Sequence, residues 1–329
     1  MYELLFEVLR KQGYHIVGHH SAVKRCKWYK ESILDRGECY KAKFYGIKSH
    51  QCMQSTPALQ FCTQGCVFCW RVQAKELGIS EKNELPDTEF RWDPPDFVLD
   101  GLIREQLEFA KGYMGNPKAN PKKVEEAFHP KLLTLSLAGE PTLYPYLPEL
   151  IRLAKDRGFL VFLVTNGTIP EMLYRLRDED SLPTQLYLSM DAPDKESYLK
   201  TCRPYSEHLW EKYLESVRFL KEVKGKTRTV LRMTLVRDHN TDNLEGYADQ
   251  IKQAEADYVE VKSFVYVGGA RHENRGLSLN HMLLMDEVRD IARRLSDLTG
   301  YRYTDEHELS RVVLLVRDET AERNRILKY

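Results

Sequence analysis

The sequence predicts an α/β fold whose core is a parallel sheet or a partial barrel, and three observations lead to this prediction. Short apolar runs rich in β-forming residues alternate along the chain with segments of helical periodicity. Several of these runs are apolar at nearly every position, which is typical of strands covered on both faces. The chain has 329 residues, 42% of them hydrophobic, which is enough for one large domain or two smaller ones.

The order of the predicted elements indicates how the sheet is connected. Strands are predicted at residues 58–61, 132–137, 160–164, 186–189, 230–236, 259–265 and 312–316. Helices are predicted at residues 95–114, 145–157, 170–177, 206–224, 243–256 and 281–298. Because strands and helices alternate, we expect neighbouring strands to run parallel, with helices packed against the sheet.

Two segments fall outside this alternation. Residues 1–57 precede the first predicted strand and are interpreted as an N-terminal extension, whereas residues 58–329 hold the predicted sheet and the C-terminal elements. Residues 111–131 contain three prolines and five lysines, which predicts a long exposed loop. Long loops of compact domains are often functional, so this loop is a candidate binding surface.

Charge and hydropathy exclude several classes of protein. The formal net charge is zero, so overall charge does not attract nucleic acid. Residues 1–48 carry ten basic and five acidic residues, a net charge of +5. Chance clustering on a solvated face explains this charge as well as a binding surface does. No apolar stretch approaches the roughly 20 residues that span a bilayer, and charges interrupt the N-terminus, unlike a signal peptide. We therefore expect a soluble, cytoplasmic protein, in which clustered cysteines are more often metal ligands than disulfides.

Three of the seven cysteines, Cys62, Cys66 and Cys69, form the run C-x3-C-x2-C. Iron–sulfur clusters bind thiolates on tight loops of this kind. Three thiolates would bind three irons of a [4Fe-4S] cluster and leave the fourth open to the amine and carboxylate of a small molecule. A structural zinc site usually has four protein ligands, and no fourth ligand lies near this run.

A second triad, Cys26, Cys39 and Cys52, lies upstream, with successive cysteines thirteen positions apart. Its polar and basic surroundings are poor for core packing and are expected to lower the pKa of the thiols. A second [4Fe-4S] cluster with one open iron is the favoured interpretation, while a zinc site or three buried structural cysteines are the alternatives. The remaining Cys202 stands alone and is interpreted as structural.

The two triads together resemble a known family. The C-x3-C-x2-C run is similar to that of the radical S-adenosylmethionine (SAM) superfamily. The upstream triad, with Lys41 in the segment CYKAKFYGIKSHQCMQ, resembles the 4-demethylwyosine synthases, tRNA-modifying enzymes of the wyosine pathway, in their single-domain archaeal form. The resemblance covers nearly the whole chain. It implies a partial (β/α)6 radical SAM barrel with an N-terminal iron–sulfur extension, two [4Fe-4S] clusters and SAM.

The superfamily resemblance also suggests where SAM binds. Its members have a Gly-Gly-Glu-like segment that meets the SAM amino group, and here alanine replaces the first glycine in the segment LSLAGEPTL. The predicted SAM contacts are Gly139, Glu140, Asn166, Ser189 and Asp191. Each polar turn alone is ordinary strand-to-helix chemistry. Three such turns at successive strand ends beside a cluster motif favour a ligand site, and the strand end at Lys262 and Ser263 is a further candidate.

Lys41 is predicted to be the catalytic residue. Its position alone would favour a solvated charge, but the resemblance implies that a lysine beside the second cluster forms a Schiff base with pyruvate. A lysine does this only when neutral, and desolvation or a nearby cation lowers its pKa. Lys43 is the neighbour with which it could be confused.

The resemblance implies a radical condensation of pyruvate with N1-methylguanosine in tRNA-Phe, carried out by a monomer that receives its electrons from a separate donor. Phosphates of the tRNA could bind the basic N-terminal region and the loop lysines Lys111, Lys118, Lys122 and Lys123. Tyr113 and Trp70 could stack on bases or simply pack. A radical SAM enzyme acting on a peptide or metabolite, and a two-cluster electron carrier, are the alternatives.

Overall fold

The computed structural model describes residues 2–78, 80 and 84–328 of the chain. Its strands are β1 (Tyr14–Val17), β2 (Ser21–Lys24), β3 (Cys52–Thr56), β4 (Leu132–Leu135), β5 (Leu160–Thr165), β6 (Gln185–Ser189), β7 (Arg228–Arg232), β8 (Tyr258–Lys262), β9 (Arg302–His307) and β10 (Val312–Val316). Its α-helices are α1 (Glu3–Lys11), α2 (Lys27–Ile33), α3 (Tyr40–Tyr45), α4 (Pro95–Lys111), α5 (Pro121–Ala127), α6 (Leu147–Asp156), α7 (Pro170–Asp178), α8 (Lys195–Cys202), α9 (Leu209–Glu222), α10 (Leu244–Ala254), α11 (Met285–Thr299) and α12 (Glu319–Arg323).

The described strands form one mixed sheet in the order β1-β2-β3-β4-β5-β6-β7-β8-β10-β9. Strands β3 to β8 run parallel to one another, whereas β1 and β2 at one edge and β10 and β9 at the other join antiparallel. The sheet is not closed, because β1 and β9 remain its edges. The predicted partial α/β barrel with six parallel strands is therefore confirmed.

The first parallel strand does not lie where the apolar pattern predicts it. Strand β3 ends at Thr56, and the strand predicted at 58–61 is wrong, because these residues form a turn in which the Phe61 N–H donates to the Ala58 carbonyl at 3.1 Å. Pro57 has no N–H to donate to a sheet, which stops the ladder. The sheet runs on through β2, β3 and β4, and the division of the chain at residue 57 stays a prediction.

The segment 111–131 is partly helical, so the prediction of one long loop is wrong for helix α5. Asn120 caps this helix by accepting a hydrogen bond from the backbone N–H of Lys123 at 3.3 Å. The Lys123 ammonium pairs with Glu38 at 2.8 Å and with Asp35 at 3.0 Å, which ties α5 to the end of α2. Seven residues are too few for a clear helical periodicity.

The six other predicted strands and the six predicted helices are confirmed, with shifted ends, as β4–β8 and β10 and as α4, α6, α7, α9, α10 and α11. Helices α1, α2, α3, α8 and α12 and strands β1, β2 and β9 have no counterpart among the predicted elements, because they are short or carry mixed polar and apolar residues. No helix in the described part of the chain is long and apolar enough to cross a membrane.

The two faces of the sheet differ, because successive side chains of a strand point to opposite sides. On the outer face, residues such as Leu163, Leu188 and Leu231 pack against the surrounding helices. On the inner face, Phe162 and Tyr187 pack with the aromatic residues of α3. Helix α3 thus brings the N-terminal extension onto the inner face of the sheet.

Candidate active site

The loop of residues 62–69, which carries the first cysteine triad, lies just after β3 and is held by distant parts of the chain. The N–H of Cys62 donates to the Glu84 carbonyl at 2.8 Å, and the N–H of Val67 donates to the Thr201 carbonyl at 2.9 Å. A loop outside regular structure needs such partners for its buried amides. These hydrogen bonds therefore fix the backbone conformation of the loop that carries the three thiols.

Arg275 binds the same loop from a region more than two hundred residues away. Its guanidinium, 1% exposed, donates to the carbonyl oxygens of Cys66 at 2.7 Å, Cys69 at 3.1 Å and Arg71 at 3.0 Å. Its Nε pairs with the buried carboxylate of Glu76. The five donors of a guanidinium suit this task, since one side chain can satisfy several buried carbonyls at once.

A second buried guanidinium lies beside the thiols. Arg71 and Glu84 form an ion pair in which each side chain is 1% exposed. The positive charge of Arg71 opposes the effect of burial, which raises the pKa of the Cys62 thiol. A cation at this position favours the thiolate that binds iron.

Cys66 contacts Cys202, the one cysteine that belongs to neither triad. The thiols of Cys66 and Cys202 share a hydrogen bond, which together with burial raises the pKa of Cys66 well above its usual value. Cys202 is 2% exposed and free, as are the other six cysteines. Since the raised pKa keeps the Cys66 thiol protonated at neutral pH, binding of a metal at Cys66 must displace its proton.

The segment that follows β4 packs closely against the turn at residues 58–61, which precedes the cysteine loop. Gly139 has φ +70°, and a Cβ at this position would lie 1.7 Å from the Ala58 carbonyl oxygen, so only glycine fits. The Glu140 N–H donates to the Phe61 carbonyl at 2.8 Å. The predicted SAM segment and the predicted cluster loop are therefore adjacent in space.

Glu140 is 2% exposed, and its carboxylate already has internal donors. Oε1 accepts from the N–H of Thr142 at 3.1 Å and from the hydroxyl of Thr165 at 2.6 Å, and Oε2 accepts from the Asn166 N–H at 2.8 Å. The carboxylate thus joins the ends of β4 and β5. Direct acceptance of a hydrogen bond from SAM by Glu140 stays a prediction, and the carbonyl groups of this segment are the alternative acceptors.

The other predicted SAM contacts follow β5 and β6. The Asn166 amide donates to the Thr63 hydroxyl at 2.9 Å and lies 3.9 Å from the Cys62 sulfur, so this strand end reaches the cysteine loop. Ser189 ends β6 and is partly buried. Asp191 is 8% exposed, and its Oδ1 has no hydrogen-bond partner in the described structure. A buried carboxylate oxygen without a donor fits a ligand that brings a hydroxyl or ammonium group.

The second triad converges although its members lie on three elements. Cys26 precedes α2, Cys39 precedes α3 and Cys52 begins β3. Burial raises the pKa of Cys26 and of Cys39 to about 12, and repulsion between these thiols contributes. The expectation of lowered thiol pKa values is therefore wrong, because desolvation of the buried thiols outweighs the positive charge of Lys41 beside them.

Lys41 and Lys43 have opposite environments. Lys41 is 8% exposed, and its ammonium lies 4.3 Å from the ring centre of Tyr187 and 5.5 Å from that of Phe162. Desolvation lowers its pKa. The Lys43 side chain is 51% exposed and pairs with Asp305 at 2.8 Å.

Three charged residues on the inner face lie near Lys41 and complete the site. Glu260 is fully buried and accepts hydrogen bonds from the hydroxyls of Tyr40 and Tyr45, both at 2.8 Å. Arg232 ends β7, and Lys262 ends β8, where burial lowers its pKa to about 8. Arg232 and Glu260 were not among the predicted site residues, although charged residues four positions apart in the run RTVLR and two apart in YVEVK were a usable signal.

Several predicted RNA contacts are used within the protein. Tyr113 is 5% exposed and lies in the core, with its hydroxyl accepting a hydrogen bond from Arg25 at 3.3 Å. Of the two predicted roles of Tyr113, stacking on a base or packing, its burial favours packing. Lys111 pairs with Glu108 at 2.6 Å on the same helix. Trp70 is partly exposed.

The donor sets fit iron–sulfur clusters better than single ions. Among the described residues, no three His, Cys, Asp or Glu side chains are arranged to hold one metal ion. Thiolates of a [4Fe-4S] cube bind different irons, so they do not have to meet at one point. The free thiols of Cys62, Cys66 and Cys69, with Arg71 beside them, suit such a cube.

Comparisons with known proteins agree with this geometry. Residues 56–251 match the radical SAM superfamily, and residues 253–317 match the wyosine base formation family. The S-adenosyl-L-methionine-dependent tRNA 4-demethylwyosine synthase of Pyrococcus abyssi is 44% identical over 320 residues, covering 97% of this chain and 90% of that protein. The protein of the same name from Methanocaldococcus jannaschii is 38% identical over 314 residues, covering 95% of this chain and 96% of that protein.

Solved structures resemble this chain over almost its full length. A structure of TYW1 with a lysine-pyruvate adduct bound has a TM-score of 0.83 and 36% sequence identity, covering 99% of this chain and 98% of that chain. The crystal structure of archaeal TYW1 has a TM-score of 0.77 and 32% identity, covering 99% of this chain and 100% of that chain.

Replacing Arg275 by alanine is expected to weaken cluster binding at the first triad. The substitution leaves Glu76 as an unpaired buried carboxylate and removes a donor from three loop carbonyls, which destabilises the loop by about 3–5 kcal/mol. The iron-to-protein ratio after reconstitution should fall to that of Cys62→Ala. Arg271→Ala, which removes an exposed arginine four positions earlier, should keep the wild-type ratio. A normal ratio in Arg275→Ala would contradict the role of this side chain.

Asp191 predicts a pH dependence of stability. Burial raises its pKa to about 6. The folded protein therefore retains this proton to a higher pH than the unfolded chain, and the carboxyl destabilises the fold as the pH rises from about 4 to 6, by up to about 3 kcal/mol. In urea titrations of the cluster-free protein, Asp191→Asn should be more stabilising at pH 7 than at pH 5.

Asp194→Asn is the control. The pKa of Asp194 is lowered because hydrogen bonds from Ser197 outweigh the opposing effect of burial. Its contribution to stability is present at neutral pH and lost on acidification, so this variant should be destabilising at pH 7. Equal effects of Asp191→Asn at both pH values would contradict the assignment.

Proposed function

The chain belongs to the 4-demethylwyosine synthase family of the radical SAM superfamily, and we propose that it condenses pyruvate, held by Lys41, with N1-methylguanosine 3′ of the anticodon in tRNA-Phe. It is a SAM-dependent tRNA-modifying enzyme that contains a [4Fe-4S] cluster. The adjacency of Lys41 to a cysteine triad in the interior of the sheet is the observation that carries the proposal.

We assign the first cluster to Cys62, Cys66 and Cys69. When bound, this cluster and SAM supply a 5′-deoxyadenosyl radical together with methionine. The protein's part is to keep water away and to orient the substrates, because a free radical reacts indiscriminately. Gly139 and Glu140 hold the end of β4 against the cluster loop, and Asp191 offers an unpaired carboxylate oxygen for the hydroxyl or ammonium groups of SAM.

Asn166 and Ser189 complete the proposed SAM site at the next two strand ends. The Asn166 amide links the end of β5 to Thr63 in the cluster loop, so SAM bound at these strand ends would lie beside the cluster. Ser189 supplies a hydroxyl on the inner face that can donate to or accept from the ligand.

Lys41 is proposed as the residue that binds pyruvate. Its amine would attack the ketone carbon, and water would leave as the C=N bond forms. Desolvation of this buried lysine lowers its pKa and so favours the neutral form that this step requires. The related TYW1 structure with a lysine-pyruvate adduct bound supports this chemistry.

A second [4Fe-4S] cluster is proposed at Cys26, Cys39 and Cys52. The charges of the Cys26 and Cys52 thiolates act on each other, and that of Lys41 acts on both Cys26 and Cys39, so the triad and the lysine form one group. Three thiolates leave one iron open, as at the first triad. A ligand joined to Lys41 would therefore lie beside that iron.

The substrate is proposed to enter the inner face of the sheet with its base turned out of the anticodon loop. The membership of the family argues against the two alternatives, an enzyme acting on a peptide or metabolite and an electron carrier. We further propose a cytoplasmic monomer that receives its electrons from a separate protein. Lys118 and Lys122, which are exposed, remain the candidate phosphate contacts of the segment 111–131.

Replacement of Lys41 tests the pyruvate site. Lys41→Arg keeps a positive charge but removes the nucleophile, so borohydride should trap no pyruvate on this variant. Lys43→Arg should trap pyruvate as the wild type does, because Lys43 is exposed and paired with Asp305. Intact mass and peptide mapping measure the adduct. An adduct that persists in Lys41→Arg, or that maps to Lys262 in the wild type, would contradict the proposal.

Iron counting tests the second cluster. In Cys26→Ala the protein should lose about half of its iron, while reductive cleavage of SAM continues at the first triad. In Cys62→Ala a similar loss of iron should be accompanied by loss of SAM cleavage. Iron analysis, absorption spectra and 5′-deoxyadenosine formation are the measurements. Wild-type iron content in Cys26→Ala, or zinc in its place, would overturn the second cluster.

A further inference from the structure

The inner face of the sheet carries a guanidinium close to the proposed pyruvate site. In the register of the sheet, Arg232 of β7 lies beside Ser189 of β6 on one side and beside Glu260 of β8 on the other. The preceding inner-face position of β6 is Tyr187, over whose ring the Lys41 ammonium lies at 4.3 Å. Arg232 is therefore a diagonal neighbour of the ring that holds Lys41.

Arg232 is the inner-face cation near Lys41 whose donors are unused. Among the residues that the structure describes, its guanidinium makes no hydrogen bond and no ion pair within 4 Å, although the charges of Glu260 and Asp191 act on it from further away. The adjacent carboxylate of Glu260 cannot take this role in full, because both of its oxygens already accept from the hydroxyls of Tyr40 and Tyr45. The donors of this partly buried guanidinium are therefore free to bind an anionic ligand.

Two other cations of this face are already engaged. Lys262 donates to the Ser263 carbonyl at 2.9 Å. Arg228, four residues before Arg232 on the same face of β7, donates from Nη2 to the Arg325 carbonyl at 2.7 Å. Its guanidinium also lies 5.4 Å from the ring centres of both Tyr45 and Tyr258, although its Nε and Nη1 have no hydrogen-bond partner in the described structure. These contacts leave Arg232 as the cation with the fewest internal partners.

We propose that Arg232 binds the carboxylate of the pyruvate that is joined to Lys41, and that it thereby selects a 2-oxo acid over other ketones. This proposal rests on the proposed function of Lys41. Formation of the C=N bond uses the ketone carbon and releases water, so the carboxylate stays charged. In a desolvated interior that charge needs a cation, and a guanidinium can bind both carboxylate oxygens at once. Arg232 is a positioning residue for this substrate.

The carboxylate of SAM is the other source of the same chemistry. Arg232 and Ser189 both end their strands, near the turn that carries Asp191. The closeness of Arg232 to the ring that holds Lys41 favours pyruvate, and the experiment separates the two carboxylates by measuring them independently.

The test compares trapping of pyruvate with trapping of pyruvamide, which keeps the ketone but has no carboxylate. Cluster-loaded protein without SAM or tRNA is treated with each ketone over a range of concentrations, reduced with borohydride and analysed by mass spectrometry. Arg232→Gln should raise the half-saturating concentration of pyruvate by about ten- to hundredfold and leave that of pyruvamide unchanged. Arg232→Lys, which keeps the charge, should recover part of the preference.

Arg228→Lys is the matched control and should keep the wild-type preference, because its guanidinium lies between Tyr45 and Tyr258. Equal losses for pyruvate and pyruvamide in Arg232→Gln would indicate a merely structural role and overturn the proposal. Unchanged pyruvate trapping with a weaker SAM affinity, measured by calorimetry, would overturn it in favour of the SAM carboxylate. A loss confined to Lys262→Met would overturn it in favour of Lys262.

Failure of the proposed function gives a different result. If the wild-type protein forms no adduct at Lys41, both proposals fall together. If the wild-type adduct forms at Lys41 and Arg232→Gln traps pyruvate with the wild-type concentration dependence, only the role of Arg232 is refuted.

Discussion

A loop that buries three thiols has no regular backbone ladder, so its carbonyl groups need donors from elsewhere, and Arg275 supplies several of them. Its guanidinium reaches the carbonyls of Cys66, Cys69 and Arg71 while Glu76 balances its charge. The same loop receives the Asn166 amide from the end of β5. The proposed cluster site and the proposed SAM site therefore depend on one set of buried polar contacts, which is costly to leave incomplete.

On the inner face of the sheet, too, a buried polar group is stabilised by hydrogen bonds from distant residues. Glu260 would be an expensive charge in the interior, but Tyr40 and Tyr45 each donate a hydroxyl to it. These two bonds also attach helix α3 to β8, because both tyrosines lie on that helix. Lys41 lies between them in sequence, so the contacts that satisfy Glu260 also orient the proposed pyruvate lysine toward the interior.

The parallel core could be predicted because its strands are apolar on both faces and alternate with amphipathic helices. The errors have local causes. The apolar residues at 58–61 resemble a strand, yet Pro57 ends the ladder and the run is buried in a turn. Helix α5 is too short for its period to be visible, and its stability comes from the Asn120 cap and the pairing of Lys123 with Glu38. Contacts of this kind are invisible in a local pattern.

By itself, the sequence determined the parallel α/β core, the two cysteine triads and the family to which they point, since these depend on spacing along the chain. Tertiary structure decided which of two nearby lysines is buried. It also brought Cys202 against Cys66, and Arg275 beneath the cysteine loop. Both are contacts between residues more than one hundred positions apart. The tertiary structure also reversed the expected pKa shift of the second triad. Burial removes these thiols from water and raises their pKa, and the residues next to them in the sequence do not reveal that burial.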